Sequence, residues 1–260
     1  MTATASVGDG TQNVTYVWYL NGVWQPTAAG SSYTFGSNLG LGYYRLDVTA
    51  FTTDGTRAGS ATASFQVVPM VNEGFEEYPA GSYPSAGGWY NLWSGISAAV
   101  VSGIAHSGNQ SFYLQGQPNW VRADGINLPL SGVNVITYSV AVMVPSGSAA
   151  GARVGFFLYT SSNTSIDFNS VDFSPGAQIT ATGQVTQGTG IICQPNTWYV
   201  VKVQLDYSAG IMNVWVNGQE MIWNLPASSK QKSSIFFLGT DWLGSASGTM
   251  SAYFDDIVIY

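Results

Sequence analysis

General acid–base chemistry needs carboxylates at a controlled separation, two of them in glycosidic hydrolysis. This 260-residue chain offers few. It has four Glu, at 73, 76, 77 and 220, and three of them share one short run. A second candidate pair is Asp167 and Asp172, in Ser165-Ile166-Asp167-Phe168-Asn169-Ser170-Val171-Asp172-Phe173. These two read either as an acid/base pair or as solvated carboxylates of a loop or edge strand. The single His, His106, lies in His106-Ser107-Gly108-Asn109, a turn composition, and no nucleophile-elbow motif accompanies it. The single Cys, Cys193, can form no internal disulfide. One Cys and one His exclude metal sites built from those ligands, and Cys193 reads as a small buried hydrophobe.

Aromatic residues are the better supplied chemical resource, at 14% of the chain with nine Trp and fifteen Tyr. A sugar ring has apolar C–H faces and a hydroxyl rim, so a site for it pairs flat aromatics with polar hydrogen-bonders. Trp and Tyr supply such contact area at little entropy cost. Three stretches combine these types in turn-rich surroundings: Gly88-Trp89-Tyr90-Asn91-Leu92-Trp93, Gln117-Pro118-Asn119-Trp120-Val121-Arg122 and Thr240-Asp241-Trp242-Leu243-Gly244. The candidate binders are Trp89, Tyr90, Trp93, Trp120 and Trp242, with Arg122 donating to ligand oxygens. A place in the core is the competing reading for any one Trp. The polar, turn-forming neighbours of Trp89, Trp93, Trp120 and Trp242 weigh against it for the group. Trp215 and Trp223 could face either surface of a sheet.

The elements that must carry these loops are strands. Only 8% of residues are charged, with 7 Lys plus Arg against 14 Asp plus Glu, where an ordinary soluble protein has ~25%. A net charge of −7 leaves no basic surface for phosphates, which excludes nucleic acid as a partner. No run of 18 apolar residues exists to span a membrane. Hydrophobic residues at 45% exclude a disordered chain. Ser, Thr, Asn, Gln and Gly stand where solvated helices would carry Glu and Lys. Met1-Thr2-Ala3-Thr4-Ala5-Ser6 lacks the charged and apolar regions of a signal peptide. Asn-x-Ser/Thr triplets at Asn13, Asn109 and Asn163 fit a secreted setting, though a Ser/Thr-rich chain produces them by chance.

Period-two alternation is clear in several places. Tyr44, Leu46, Val48 and Ala50 alternate with polar residues, as do Ala61, Ala63, Phe65 and Val67, and Asp54-Gly55 between these runs signals a hairpin. Tyr16-Val17-Trp18-Tyr19-Leu20 leads into another turn dipeptide, Asn21-Gly22, with Trp18 the expected core aromatic. Val68-Pro69-Met70-Val71-Asn72 reads as a junction, because Pro ends a strand. Beyond it the strand candidates are 135–144, 153–160, 199–207, 212–216, 234–238 and 252–260. Ile136, Tyr138, Val140, Val142 and Val144 share one face, and Tyr199, Val201, Val203, Leu205 and Tyr207 share another. Many strands with Gly-rich turns predict a two-sheet jelly roll.

Residues 10–68 resemble a PKD or related immunoglobulin-like module. The resemblance rests on Tyr16–Gly22, Leu39–Val48, Asp54-Gly55 and Ser64-Phe65-Gln66-Val67, and it implies a spacer domain over 1–69. Glu73-Gly74-Phe75-Glu76-Glu77-Tyr78-Pro79-Ala80-Gly81-Ser82 resembles the opening of concanavalin A-like and carbohydrate-binding jelly rolls. Ser107–Leu114, Asn196–Asp206, Val214–Gly218 and the closing Phe254-Asp255-Asp256-Ile257-Val258-Ile259-Tyr260 extend the likeness to the LamG group over 73–260. The Glu-x-Asp-x-(x-)Glu strand of laminarinase-like jelly rolls is absent. So are the Arg-Glu-Leu-Arg and Gln-x-His strands of jelly-roll alginate lyases.

In the resembling binding modules, an acidic residue of the first strand and one of the last often hold a structural Ca²⁺. Glu76 and Asp255 are the matching positions, and oxygen ligands suit that ion. In a regular strand Asp255 and Asp256 point to opposite faces, and Asp255 shares a face with Tyr253 and Ile257. A part-buried Asp255 then needs either Ca²⁺ or hydrogen-bond donors.

The resulting expectation is an all-β chain: a small immunoglobulin-like sandwich over 1–69, then a larger concanavalin A-like jelly-roll sandwich over 73–260. The resemblance implies non-catalytic polysaccharide binding by an accessory fragment of a secreted or cell-surface protein, tethered to a catalytic domain. Two alternatives stay open. One is a jelly-roll glycoside hydrolase or polysaccharide lyase, and the other is a structural surface or adhesin protein.

Overall fold

The computed structural model describes residues 2–7, 13–28, 30–34, 39–159, 166–228, 232–240 and 248–260. They form antiparallel sheets, and their one helical element is a three-residue 3₁₀ turn, Ser85–Gly87. No helix among them is long and apolar enough to cross a membrane. The chain divides into two compact units, Met1–Pro69 and Met70–Tyr260.

The first unit contains β1 (Thr2–Thr4), β2 (Val14–Leu20), β3 (Val23–Trp24), β4 (Ser32–Thr34), β5 (Gly42–Thr52) and β6 (Arg57–Val67). A four-stranded sheet runs β3-β2-β5-β6, and β1 pairs with β4. Asn21 and Gly22 take φ of 49° and 77°, as a tight β2–β3 hairpin requires. Trp18, Leu46 and Val48 are buried with Tyr16, Leu20 and Phe65 packed around them. The Trp18 indole N–H donates to the Gly30 carbonyl at 2.9 Å, so its polar edge is satisfied.

The second unit opens with β7 (Val71–Glu73), β8 (Tyr90–Ser94), β9 (Ser97–Ser102), β10 (Gln110–Gly116), β11 (Arg122–Asn127) and β12 (Val135–Met143). It continues with β13 (Ala152–Tyr159), β14 (Ile166–Phe173), β15 (Gln178–Thr182), β16 (Thr186–Ile192) and β17 (Tyr199–Asp206). It ends with β18 (Ile211–Val216), β19 (Gln219–Pro226), β20 (Ile235–Thr240) and β21 (Met250–Ile259). One sheet runs β19-β18-β17-β12-β21-β10-β9, with β7 also paired to β21. The other runs β16-β15-β14-β13-β20-β11-β8.

The two sheets face each other across one apolar layer. The first contributes Phe112, Ile136, Tyr138 and Val203, among others, and the second Val154, Phe156, Val171 and Phe236. Tyr138, Phe156 and Phe236 meet edge to face, with ring centroids 5.1–5.9 Å apart, a favoured aromatic geometry. The faces assigned from alternation in 135–144 and 199–207 are the ones turned inward.

The seven-stranded sheet carries a second cluster on its far side, away from this layer. Phe156 and Phe157 are consecutive in β13, so the pleat sends one ring into the core and the other outward. The same holds for Phe236 and Phe237 in β20. Ala123, Phe157 and Phe237 are buried there, with Trp93, Ile166 and Phe168 packed against them.

Gly155 sits in the middle of this far face. Its φ is +150°, and a Cβ there would lie 2.3 Å from the Asn169 carbonyl oxygen and 2.7 Å from Ser170 Cα. Backbone strain of this kind costs ~1–3 kcal/mol. Gly155→Ala is therefore expected to lower the melting temperature by about 4–8 °C, the shift for about 2 kcal/mol at this size. A thermal melt showing no change would mean that β13 and β14 do not approach so closely.

Candidate functional site

Strand register assembles the far face of the seven-stranded sheet. Gly155 opposes both Phe237 of β20 and Ser170 of β14, and Phe157 opposes Phe168. On the other flank of β20, Ala123 of β11 opposes Gly239, and Trp93 of β8 opposes Ala123. Trp93 and Phe157 lie on strands with two others between them, roughly 14 Å at ~4.8 Å per step. Their ring centroids are nevertheless 5.3 Å apart. Ala123 and Gly239 carry little or no side chain on the strands between them. Phe168 completes the layer, 6.5 Å from Phe157 and 5.7 Å from Phe237. Trp93 and Phe168 keep part of their surface in solvent.

A polar corner borders this layer. Arg153 Nε donates to Asp172 Oδ1 across the β13–β14 pair. Thr182 of β15 donates to Asp172 Oδ2 at 2.7 Å. The Arg153 guanidinium carbon lies 4.6 Å from the Phe168 ring centroid, in cation–π range. Ser170 sits between Asp172 and Phe168 on the same face of β14. The Ser170 Oγ is buried and has no hydrogen-bond partner among the described residues. On the opposite flank the Tyr90 hydroxyl donates to Asn127 Oδ1 at 3.3 Å.

The structure distributes the residues singled out from sequence. Tyr90 and Trp93 belong to the far face, where a bulge at Leu92 of β8, opposite the Ala123–Asp124 step of β11, turns both to the same side. Trp89 does not: it is 2% exposed and packs against Phe75 and Phe112 in the main core, so it offers no ring to a ligand. Its neighbours are turn formers, but it falls just before β8 where the chain dives between the sheets.

Arg122 is likewise buried, on the core side of β11. Its Nε donates to Asp124 Oδ2 at 2.6 Å and its Nη1 to the Ser94 carbonyl at 3.0 Å. Tyr83 donates to Asp124 Oδ1 at 2.6 Å. Burial pushes the Asp124 carboxyl up, against the downward pull of Arg122 and Tyr83. Arg122 therefore neutralises a buried carboxylate and is not available to a ligand. Trp120 is 46% exposed on the turn between β10 and β11, and Trp242 lies outside the described residues. The signal for the missed residues was the pair of Phe-Phe doublets, which in strands must place one ring outside.

Asp167 and Asp172 do not form an acid/base pair. They are five residues apart in one strand, which puts them on opposite faces. Asp172 is also held by Arg153 and Thr182. Cys193 is buried, and burial pushes its thiol up to about 11, which leaves it inert at neutral pH.

Glu76 and Asp255 both pin the loop before β10. Asp255 Oδ2 accepts the backbone N–H of His106 at 2.8 Å and of Ser107 at 3.1 Å, and its Oδ1 accepts that of Asp256 at 2.8 Å. Glu76 Oε1 accepts the N–H of Asn109 and of Gln110, each at 2.8 Å. A bulge in β21, with Asp256 at φ 48°, breaks the alternation expected there. Ile257 consequently faces the core, while Asp255 and Asp256 both reach the loop. His106 Nδ1 lies 2.6 Å from Asp256 Oδ2, and Ser107 Oγ donates to Asp256 Oδ1 at 2.6 Å. Ser107 thus bonds the carboxylate and not the imidazole, so this is not a Ser–His nucleophile pair.

Glu76 Oε1 and both Asp255 oxygens already accept backbone N–H groups, a donor set that does not fit a calcium ion. No group of three or more His, Cys, Asp or Glu among the described residues is placed to hold a metal.

No family model and no curated protein sequence matches this chain. Among solved structures, a sialidase is similar at TM-score 0.54 with 12% identity, over 83% of this chain and 21% of its own. The chain thus spans about a fifth of that protein's length. A glycoside hydrolase family 131 catalytic domain from Coprinopsis cinerea is similar at TM-score 0.49 and 11% identity, over 75% of this chain and 94% of that one. Carbohydrate-binding modules of a β-sandwich superfamily are similar at TM-score 0.40 and 13% identity, over 97% and 87%. The described residues thus make an all-β sandwich protein, similar in fold to part of that sialidase. At these identities the likeness concerns the fold alone.

With Glu76 Oε1 and both Asp255 oxygens taken by amides, the melting temperature is expected to be the same in millimolar CaCl₂ and in EDTA. A rise of several degrees with Ca²⁺ would show that the loop before β10 rearranges to admit the ion.

Proposed function

We propose that the second unit is a concanavalin A-like jelly roll that binds polysaccharide without cleaving it, on the far face of its seven-stranded sheet. One observation carries this reading. Trp93, Phe157, Phe168 and Phe237 form an aromatic layer on the side of the sheet turned away from the core. Trp93 and Phe168, still part-exposed, offer aromatic surface to the C–H faces of a sugar, with the Arg153 guanidinium already seated over the Phe168 ring. Tyr90, Asn127 and the Arg153–Asp172 pair supply polar groups at its margins. Aromatic contact area with a few placed polar groups is the usual composition of a small-ligand site.

Cleavage has less support. Asp172 is the carboxylate on this face among the described residues, and glycosidic acid–base chemistry needs two. The first unit fits the immunoglobulin-like spacer suggested by its sequence. The low charge and the glycan-binding reading together favour a secreted or cell-surface setting, with this chain an accessory part of a carbohydrate-active enzyme or surface protein.

Affinity gel electrophoresis against a panel of plant, algal and bacterial polysaccharides tests the reading. The wild-type chain should be retarded by at least one, and Trp93→Ala and Phe168→Ala should each weaken retention about three- to tenfold, as for loss of one aromatic contact. Trp89→Phe should leave retention unchanged. Silence across the panel, or release of reducing ends or unsaturated products, would contradict it.

A further inference from the structure

The outer face of the four-stranded sheet in the first unit carries its own aromatic and polar row. In β2, Tyr16, Trp18 and Leu20 belong to the core, so Tyr19 points the other way. Register places Trp24 of β3 opposite Tyr19, Tyr19 opposite Asp47 of β5, and Asp47 opposite Thr62 of β6. Four side chains thus line up across four strands at ~4.8 Å intervals. Trp24 is 59% exposed, and Tyr43, farther along β5, is 81% exposed. These exposed rings are apolar surface that a ligand could cover.

The polar half of the row is equally specific. Arg45 Nε donates to Asp47 Oδ1 at 2.9 Å, its Nη2 lies 2.9 Å from the same oxygen, and Thr62 donates to it at 2.6 Å. Those bonds, Thr62 first and then Arg45, hold the Asp47 carboxyl below its ordinary range, so it is an ionised acceptor. No hydrogen bond engages Asp47 Oδ2 or Arg45 Nη1 among the described residues. A free acceptor and a free donor side by side match two neighbouring hydroxyls of one sugar, one giving and one receiving a proton. The charges of Arg45 and Asp47 cancel, so the row has no net attraction for an acidic ligand.

We propose that this row is a second glycan-binding site, on the first unit, for a neutral polysaccharide chain. Trp24 and Tyr19 stack against sugar rings, and Asp47 and Arg45 read adjacent hydroxyls. The proposal stands apart from the reading of the second unit, because no residue is shared.

The test uses the full chain carrying Trp93→Ala and Phe168→Ala, which silences the other face, with the wild-type chain alongside. Gels contain xylan, mixed-linkage glucan or galactomannan as neutral probes and polygalacturonate as the acidic one. Retention by a neutral polysaccharide should persist in that background. Adding Trp24→Ala should weaken it about three- to tenfold, and the isosteric Asp47→Asn should weaken it as well. Trp24 is exposed, so the melting temperature should not move. Retention that is unchanged by both substitutions, or absent in that background, would overturn the proposal. Stronger retention by polygalacturonate than by any neutral chain would overturn the assigned ligand class.

Discussion

The pleat of β13 and β20 governs the second unit. Each strand holds two consecutive phenylalanines, and in an extended chain neighbours cannot face the same way. Phe156 and Phe236 must fill the layer between the sheets if Phe157 and Phe237 stand outside it, and the strands pair so that both conditions hold together. The outer rings would be a costly exposed patch unless something covers them in part. Trp93 and Phe168 do so from either flank. Core packing and the candidate binding face are thus two sides of one register, and a slip by one residue would exchange them.

Scarce charge is used with the same economy. The buried carboxylates each find donors. Glu73 accepts from the Phe75 N–H and the Tyr78 hydroxyl, both at 2.7 Å. Asp124 takes Arg122 and Tyr83, Asp172 takes Arg153 and Thr182, and Asp255 takes three backbone amides. An unpaired charge at such depth would be strongly unfavourable. These groups therefore hold loops and strands in place, which leaves few acids for catalysis and leaves the ligand faces nearly uncharged.

Much of this was legible in the sequence because the period of two is a direct consequence of the strand. The inward faces of β12 and β17, the hairpin at Asn21-Gly22 and the core role of Trp18 all follow from alternation and turn chemistry. Trp89 and Arg122 did not follow, for the same physical reason. Their neighbours are polar or turn-forming, but burial is decided by which way the chain turns at a strand end, and no local pattern records that. A regular strand puts Asp255 and Asp256 on opposite faces, whereas a one-residue bulge with positive φ at Asp256 reverses the alternation. The Phe-Phe doublets were readable, since strand geometry alone forces one ring of each outward. Their meeting with Trp93 was not, because it depends on the order β13-β20-β11-β8.

The most direct test is a ¹H–¹⁵N spectrum of the Trp indole N–H groups, of which the chain has nine, recorded while an oligosaccharide of the best-retained polysaccharide is added. Occupation of the far face of the seven-stranded sheet predicts that the Trp93 resonance moves in a saturable way while that of Trp89, in the core, stays fixed. Saturable movement of Trp215 or Trp223 with Trp93 unmoved would contradict it.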